Sequence, residues 1–147
     1  MRTLRSRDAS TNLDYARLCN NIGVLVLRIL DDLKDALEMN TESIAIREMV
    51  LGKEHPHTGE SYNNIGVLML AMGDNVGALE MHKKNLAIRE KVLGKEHPYT
   101  GESYNNIGFV MHEMGDNVGV LEMSSKVHAI REKMFGEDHP YTAKSYS

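Results

Sequence analysis

Apolar residues fall at helical spacing in two alternating patterns along this chain. Tyr62, Ile65, Gly66 and Met69 lie three and four residues apart, and Tyr104, Ile107, Gly108 and Met111 reproduce the set; this is the period of one helix face. Between the two sets, Leu79, Leu86 and Leu93 form one stripe with Met81, Ile88 and Val92 beside it. Apolar residues on two sides specify a helix covered on both flanks, as stacked repeats require. Pro56, Pro98 and Pro140 each follow a His and suit the first helical position, where the missing N–H costs nothing. Met72-Gly73-Asp74-Asn75 and Met114-Gly115-Asp116-Asn117 stop one helix and start the next: Gly supplies the left-handed residue, and Asp accepts from the orphan N–H groups. Gly94 ends the second helix. The pattern predicts six helices, near 14–30, 32–50, 56–72, 74–93, 98–114 and 116–135, with a stub after Pro140.

The punctuation is periodic because the sequence is. Leu51 through Gly66 recurs as Leu93 through Gly108, 42 residues later, with a single difference at His57 and Tyr99. A third start runs from Phe135 to Thr142. Upstream, Asn20-Asn21-Ile22-Gly23 echoes the later Asn-Asn-Ile-Gly at a distance of 43, whereas Ala36-Leu37 precedes Ala78-Leu79 by 42. The first repeat therefore carries one extra residue, expected in a turn near Leu30-Asp31-Asp32, because an insertion inside a helix turns its apolar stripe by about 100°. The expected organisation is a basic tail over 1–12, three repeats over 13–139 (13–55, 56–97 and 98–139), and the truncated start of a fourth over 140–147. The fold class is all-α, an α-solenoid of stacked antiparallel helical hairpins. Ile22, Ile65, Ile107, Leu37, Leu79, Ile44 and Leu86 are expected to be buried, with Gly66 and Gly108 where helices approach most closely.

Tyr62, Ile65, Gly66, Met69, Gly73 and Ala78 resemble the tetratricopeptide pattern. The Leu-Gly-Lys-Glu-His-Pro link, the Asn-Asn-Ile-Gly helix and Leu86-Ala87-Ile88-Arg89-Glu90 are similar to kinesin light chain repeats in particular, and the resemblance covers roughly residues 13 to 146. Departures are Cys19 at the large first position of repeat one, His82, Asn85, Ser43 and Ser124 in the second helices, and Gly77 and Gly119, each costing about 1 kcal/mol relative to Ala. The resemblance implies a TPR-like superhelix that acts as a protein–protein interaction module or scaffold. It would bind an extended or helical peptide in its concave groove, as a cargo adaptor associated with a motor or other multiprotein complex. Two alternatives stand beside it: a regulatory or sensor segment of a larger NTPase-type protein, and a non-binding fragment of a longer array.

In the family, the groove is lined by first-helix residues one step round from the core stripe. That step selects Asn20, Asn63 and Asn105, then Val24, Val67 and Phe109, then Leu27, Leu70 and His112. Asn63, Asn105, Val67, Phe109, Leu70 and His112, with Asn20, are the expected peptide-binding residues. A row of unpaired amides can donate to and accept from a peptide backbone, and the apolar row can take an anchor. The rival reading is that consecutive Asn recur through duplication of the repeats, with Asn21, Asn64 and Asn106 bonding the adjacent repeat.

Composition narrows the function classes. A net charge of −4 over 147 residues disfavours nucleic acid and anionic membrane as partners, and no apolar run reaches the ~20 residues of a membrane span. The one cysteine, Cys19, makes no intrachain disulfide and suits a reducing compartment, so the expected location is cytoplasmic. Met1 through Arg7 carries three Arg and no acid, which makes a solvated tail or, as the rival reading, a transit peptide. Gly52-Lys53-Glu54 and Gly94-Lys95-Glu96 lack the remaining residues of a phosphate loop. His55, His97 and His139 recur once per repeat and read as turn residues rather than metal ligands, and His82 and His112 read as surface or groove residues. Cys19, without a paired His and Asp, reads as a buried core residue. Glu54, Glu60, Glu96 and Glu102 are copies of one environment, whereas acid–base catalysis needs two different ones. Arg47-Glu48 and Arg89-Glu90-Lys91 read as a solvated face. The chain is expected to be no enzyme and to need no cofactor or metal.

Overall fold

A computed structural model describes residues 8–136, with side chains from Asp14 onward. It holds five helices and, among the described residues, no strand: α1 (Asp8–Leu51), α2 (Pro56–Ala71), α3 (Asn75–Leu93), α4 (Pro98–Glu113) and α5 (Asn117–Phe135). The chain divides between Ala36 and Leu37 into two units. Most of the expected basic tail, and all of the stub after Pro140, lie outside the described residues.

The unit that begins at Leu37 has two apolar clusters. One joins Ile44, Tyr62, Ile65 and Ile88, with Leu37, Met69 and Met81 packed against it. The other joins Tyr104, Ile107, Met123, Val127 and Ile130, with Leu79, Leu86 and Met111 against it. The two stripes of α3 thus face opposite ways, Met81 and Ile88 into the first cluster and Leu79 and Leu86 into the second. This is the two-sided covering that the sequence pattern requires of a stacked array.

The hairpin turns follow the local chemistry. Gly73 and Gly115 adopt φ of 86° and 79°, a region that side-chain-bearing residues avoid. Asp74 accepts from the Gly77 N–H at 2.9 Å, and Asp116 from the Gly119 N–H at 3.0 Å. At the His-Pro links the turn role of histidine is explicit: the Nδ1 atoms of His55 and His97 accept from the N–H of His57 and Tyr99 at 3.1 and 3.0 Å. Gly77 and Gly119, costly by propensity, have a packing reason. A Cβ at Gly77 would meet the Asp74 carboxylate and the Met69 sulfur within 3 Å, and Gly119 stands likewise against Asp116 and Met111.

The first repeat departs from expectation. Instead of helices 14–30 and 32–50, α1 runs unbroken over 44 residues from Asp8 to Leu51. The other hairpins stop at a glycine with positive φ; counted back from Ala36, that place is held by Asp31, and no Gly or Pro lies between Gly23 and Gly52. Nothing there ends a helix, so the extra residue is absorbed within it. Ile22 and Cys19, expected in the core, are exposed. Leu37, Leu79 and Leu86 are half-buried rather than buried.

His82 is a second correction, since it is 2% exposed and forms part of the interior. Its ring lies against Gly66, its Nδ1 has no hydrogen-bond partner, and burial lowers its pKa below the ordinary 6.5. The folded chain therefore resists a proton that the unfolded chain accepts. Stability is complete above about pH 6.5 and falls as the pH drops below it. Urea midpoints measured from pH 7.5 to 5.5 should decline for the parent and decline less for His82→Gln; equal slopes would show that His82 is not responsible.

Candidate functional site

The face selected from the sequence rests on α2 and α4, whose equivalent residues stand one repeat apart. Their facing sides are joined by an amide pair: Asn106 Nδ2 donates to Asn63 Oδ1 at 3.0 Å. An amide carries both donor and acceptor, so the second Asn of one repeat can bond the first Asn of the repeat before it. This corrects the expectation of a free amide row, because Asn63 is half-buried and tied to the neighbouring helix. Asn105 is exposed and makes no side-chain hydrogen bond within the described residues. Asn20 lies in the N-terminal unit and is exposed, as are Val24 and Leu27.

The apolar row is open. Val67 is 52% and Phe109 56% exposed, while Leu70 is half-buried and His112 exposed. On α4, Asn105, Phe109 and His112 follow one another at i, i+4 and i+7, the spacing of one helix face. They border an open hollow of about 360 Å³ between α4 and α5, with Gly108, Val120 and Met123. Such a surface combines an aromatic anchor, an exposed amide and an imidazole, which is binding chemistry.

The buried polar residues have a different task, which residue-type reasoning missed. Arg47 Nη1 donates to the His57 carbonyl at 2.8 Å and the Ser61 hydroxyl at 2.9 Å. Arg89 Nη1 does the same to Tyr99 and Ser103, at 2.6 and 3.1 Å. The Tyr62 hydroxyl donates to Glu48 at 2.6 Å and that of Tyr104 to Glu90 at 3.3 Å. Burial first, and then the Glu48 carboxylate, push the Tyr62 hydroxyl up to about 12. Thr58 and Thr100, fully buried, donate to the carbonyls of Gly52 and Gly94 at 2.7 Å. Arg47-Glu48 and Arg89-Glu90 are therefore joints between successive repeats and not a solvated face. Glu54 and Glu96 pair with Lys91 and Lys133 of the following repeat, in keeping with an architectural role. The recurrence of Thr, Ser and Tyr with Arg at one fixed spacing was the available signal. No helix among the described residues is long and apolar enough to cross a membrane.

A family model for the tetratricopeptide repeat matches residues 16–57, 58–99 and 100–141. Two crystal structures of a candidate kinesin light chain from Podosopora anserina, with nearly identical TPR-like repeats, superpose with a TM-score of 0.66 at 26% identity. The overlap covers 82% of this chain and 58% of theirs. BtubC (BKLC) from P. vanneervenii superposes with a TM-score of 0.69 over 79% of this chain and 46% of its own; at 16% identity that likeness is one of fold. The chain thus spans less than two thirds of each of these neighbours. No curated protein sequence matches it significantly.

Proposed function

The chain belongs to the tetratricopeptide repeat family, and we propose that it is a non-enzymatic interaction module that holds an extended or helical peptide across the first helices of its repeats. One observation carries the reading: Val67 and Phe109, equivalent residues of successive repeats, are apolar and both more than half exposed. Asn105 and His112 flank Phe109 on the same helix face and supply polar contacts, with Leu70 beside them and Asn63 holding α2 against α4. The likeness to a candidate kinesin light chain supports the finer proposal of a cytoplasmic cargo adaptor within a motor or other multiprotein complex.

Covering a Phe side chain contributes about 1.5–3 kcal/mol, roughly a tenfold to hundredfold change in affinity. Peptides selected on the immobilised chain should lose at least about tenfold in affinity for the Val67→Ala/Phe109→Ala variant. The melting temperature should stay near that of the parent, because both residues are exposed. Selected peptides that bind parent and variant equally would place the ligand elsewhere and remove the proposal.

A further inference from the structure

Three hollows follow one another along α4. The first, of about 290 Å³, lies where Pro56 and Glu60 of α2, Val92 and Leu93 of α3, and Tyr99 and Glu102 of α4 come together. The second, of about 370 Å³, lies between α4 and α5 and shares Glu102 with the first. The third is the hollow beside Phe109, and it shares Asn105 with the second. Glu102, Asn105, Phe109 and His112 stand at i, i+3, i+7 and i+10, one helix face, and each is exposed. The Phe109 surface is thereby one end of a longer trough.

The two ends of that trough differ in charge. At the Phe109 end no carboxylate, ammonium or guanidinium lines the hollow. At the other end the exposed charges are carboxylates: the Glu60 and Glu102 side chains are 59% and 63% exposed, whereas that of Arg89 between them is 17%. Arg89 Nη1 already serves the Tyr99 carbonyl and the Ser103 hydroxyl. It stands 3.5 Å from Glu102, and the His57 ring stands 3.4 Å from Glu60, both long beside the ~2.7–2.9 Å of a charge-assisted bond. A carboxylate offers about four acceptor sites, so both side chains can still take an incoming donor. Arg131, in the second hollow, is half-buried. Pro56, Val92 and Leu93 are exposed and give the alkyl stem of a Lys or Arg a surface to lie on.

Resting on the reading that Val67 and Phe109 bind a peptide, we propose that this peptide is extended and basic. A Lys or Arg enters the hollow of Glu60 and Glu102 while an apolar side chain covers Phe109. Glu102 and Phe109 are seven positions apart on α4, about 10 Å along its axis. An extended peptide covers that distance in about three residues. The recognised segment therefore carries its cation about three residues from its apolar anchor, and an acidic segment is repelled.

Random dodecapeptides selected on the immobilised full chain, then synthesised singly, provide the test. The selected peptides should carry Lys or Arg about three residues from an apolar residue. A copy with Glu at that basic position should bind at least about fivefold more weakly, the upper range of a solvated ion pair. The Glu60→Gln/Glu102→Gln variant should lose a similar factor for the original peptide, with the parent's melting temperature, because both side chains are exposed. Glu60→Lys, which leaves the Arg89 contact intact, should narrow or reverse the preference for the basic copy. Peptides that bind Val67→Ala/Phe109→Ala more weakly, yet show no preference for a cation and bind both charge variants as they bind the parent, overturn this inference and leave the binding surface standing. Peptides indifferent to Val67→Ala/Phe109→Ala remove both readings, as does a library from which nothing binds.

Discussion

Gly66→Leu is expected to destabilise the protein by about 1–3 kcal/mol, the usual cost of forcing extra carbon atoms into a packed interior. The reason is local. A Cβ at Gly66 would stand 2.9 Å from Nε2 of His82, and His82 is a buried ring that cannot swing aside into solvent. For a domain of this size the melting temperature should fall by roughly 4 °C per kcal/mol. Gly108 provides the comparison, because its nearest neighbour, the Cβ of Met123, stands 3.3 Å from the Cβ position and asks for a smaller adjustment than the His82 ring. In a helix, Gly→Ala gains up to about 1 kcal/mol when space allows. Gly108→Ala should therefore lower the melting temperature less than Gly66→Ala does. Thermal melts of the three variants check this directly. A Gly66→Leu protein with the parent's melting temperature would mean that α2 and α3 do not meet at Gly66.

Arg89→Ala is expected to cost about 1.5–3 kcal/mol, because hydrogen bonds to charged groups contribute more than neutral ones. The guanidinium donates to the Tyr99 carbonyl and to Ser103, and it lies 5.6 Å over the Tyr99 ring. Asn85 still reaches Ser103 at 3.3 Å and the Ser103 hydroxyl still reaches the Tyr99 carbonyl at 3.5 Å, so the variant loses the charged donor and keeps only these longer neutral bonds. Arg89→Lys should recover little, since an ammonium cannot reproduce the planar fork or the ring contact. Because the lost contacts join two repeats, the urea transition should also broaden as the repeats uncouple. A transition as steep and as late as the parent's would show that apolar contacts alone hold this joint.

What the sequence determines here is whatever depends on neighbours along the chain. The 42-residue period, the His-Pro helix starts and the Gly-Asp turns were legible because each rests on a single peptide's preferences: a fixed φ at Pro56, a positive φ at Gly73, a carboxylate at Asp74 beside unpaired N–H groups. The two stripes of α3 were legible for the same reason, since periodicity alone states how many sides are covered. The open apolar residues Val67 and Phe109 could be selected by register, although their exposure could not. Tertiary structure decided the polar residues, because a type does not reveal its partner. His82 looked like a surface histidine and is interior; Asn63 looked free and bonds Asn106; Arg47 and Arg89 looked solvated and clamp the next repeat. It also decided the first repeat. There the Asn-Asn-Ile-Gly motif promised a hairpin, yet a motif records which contacts a helix can make, and only a turn residue brings the two halves together. With Asp31 in place of the glycine, helix propagation adds a hydrogen bond at each residue and meets no barrier, so α1 continues through the position where its sequence relatives turn.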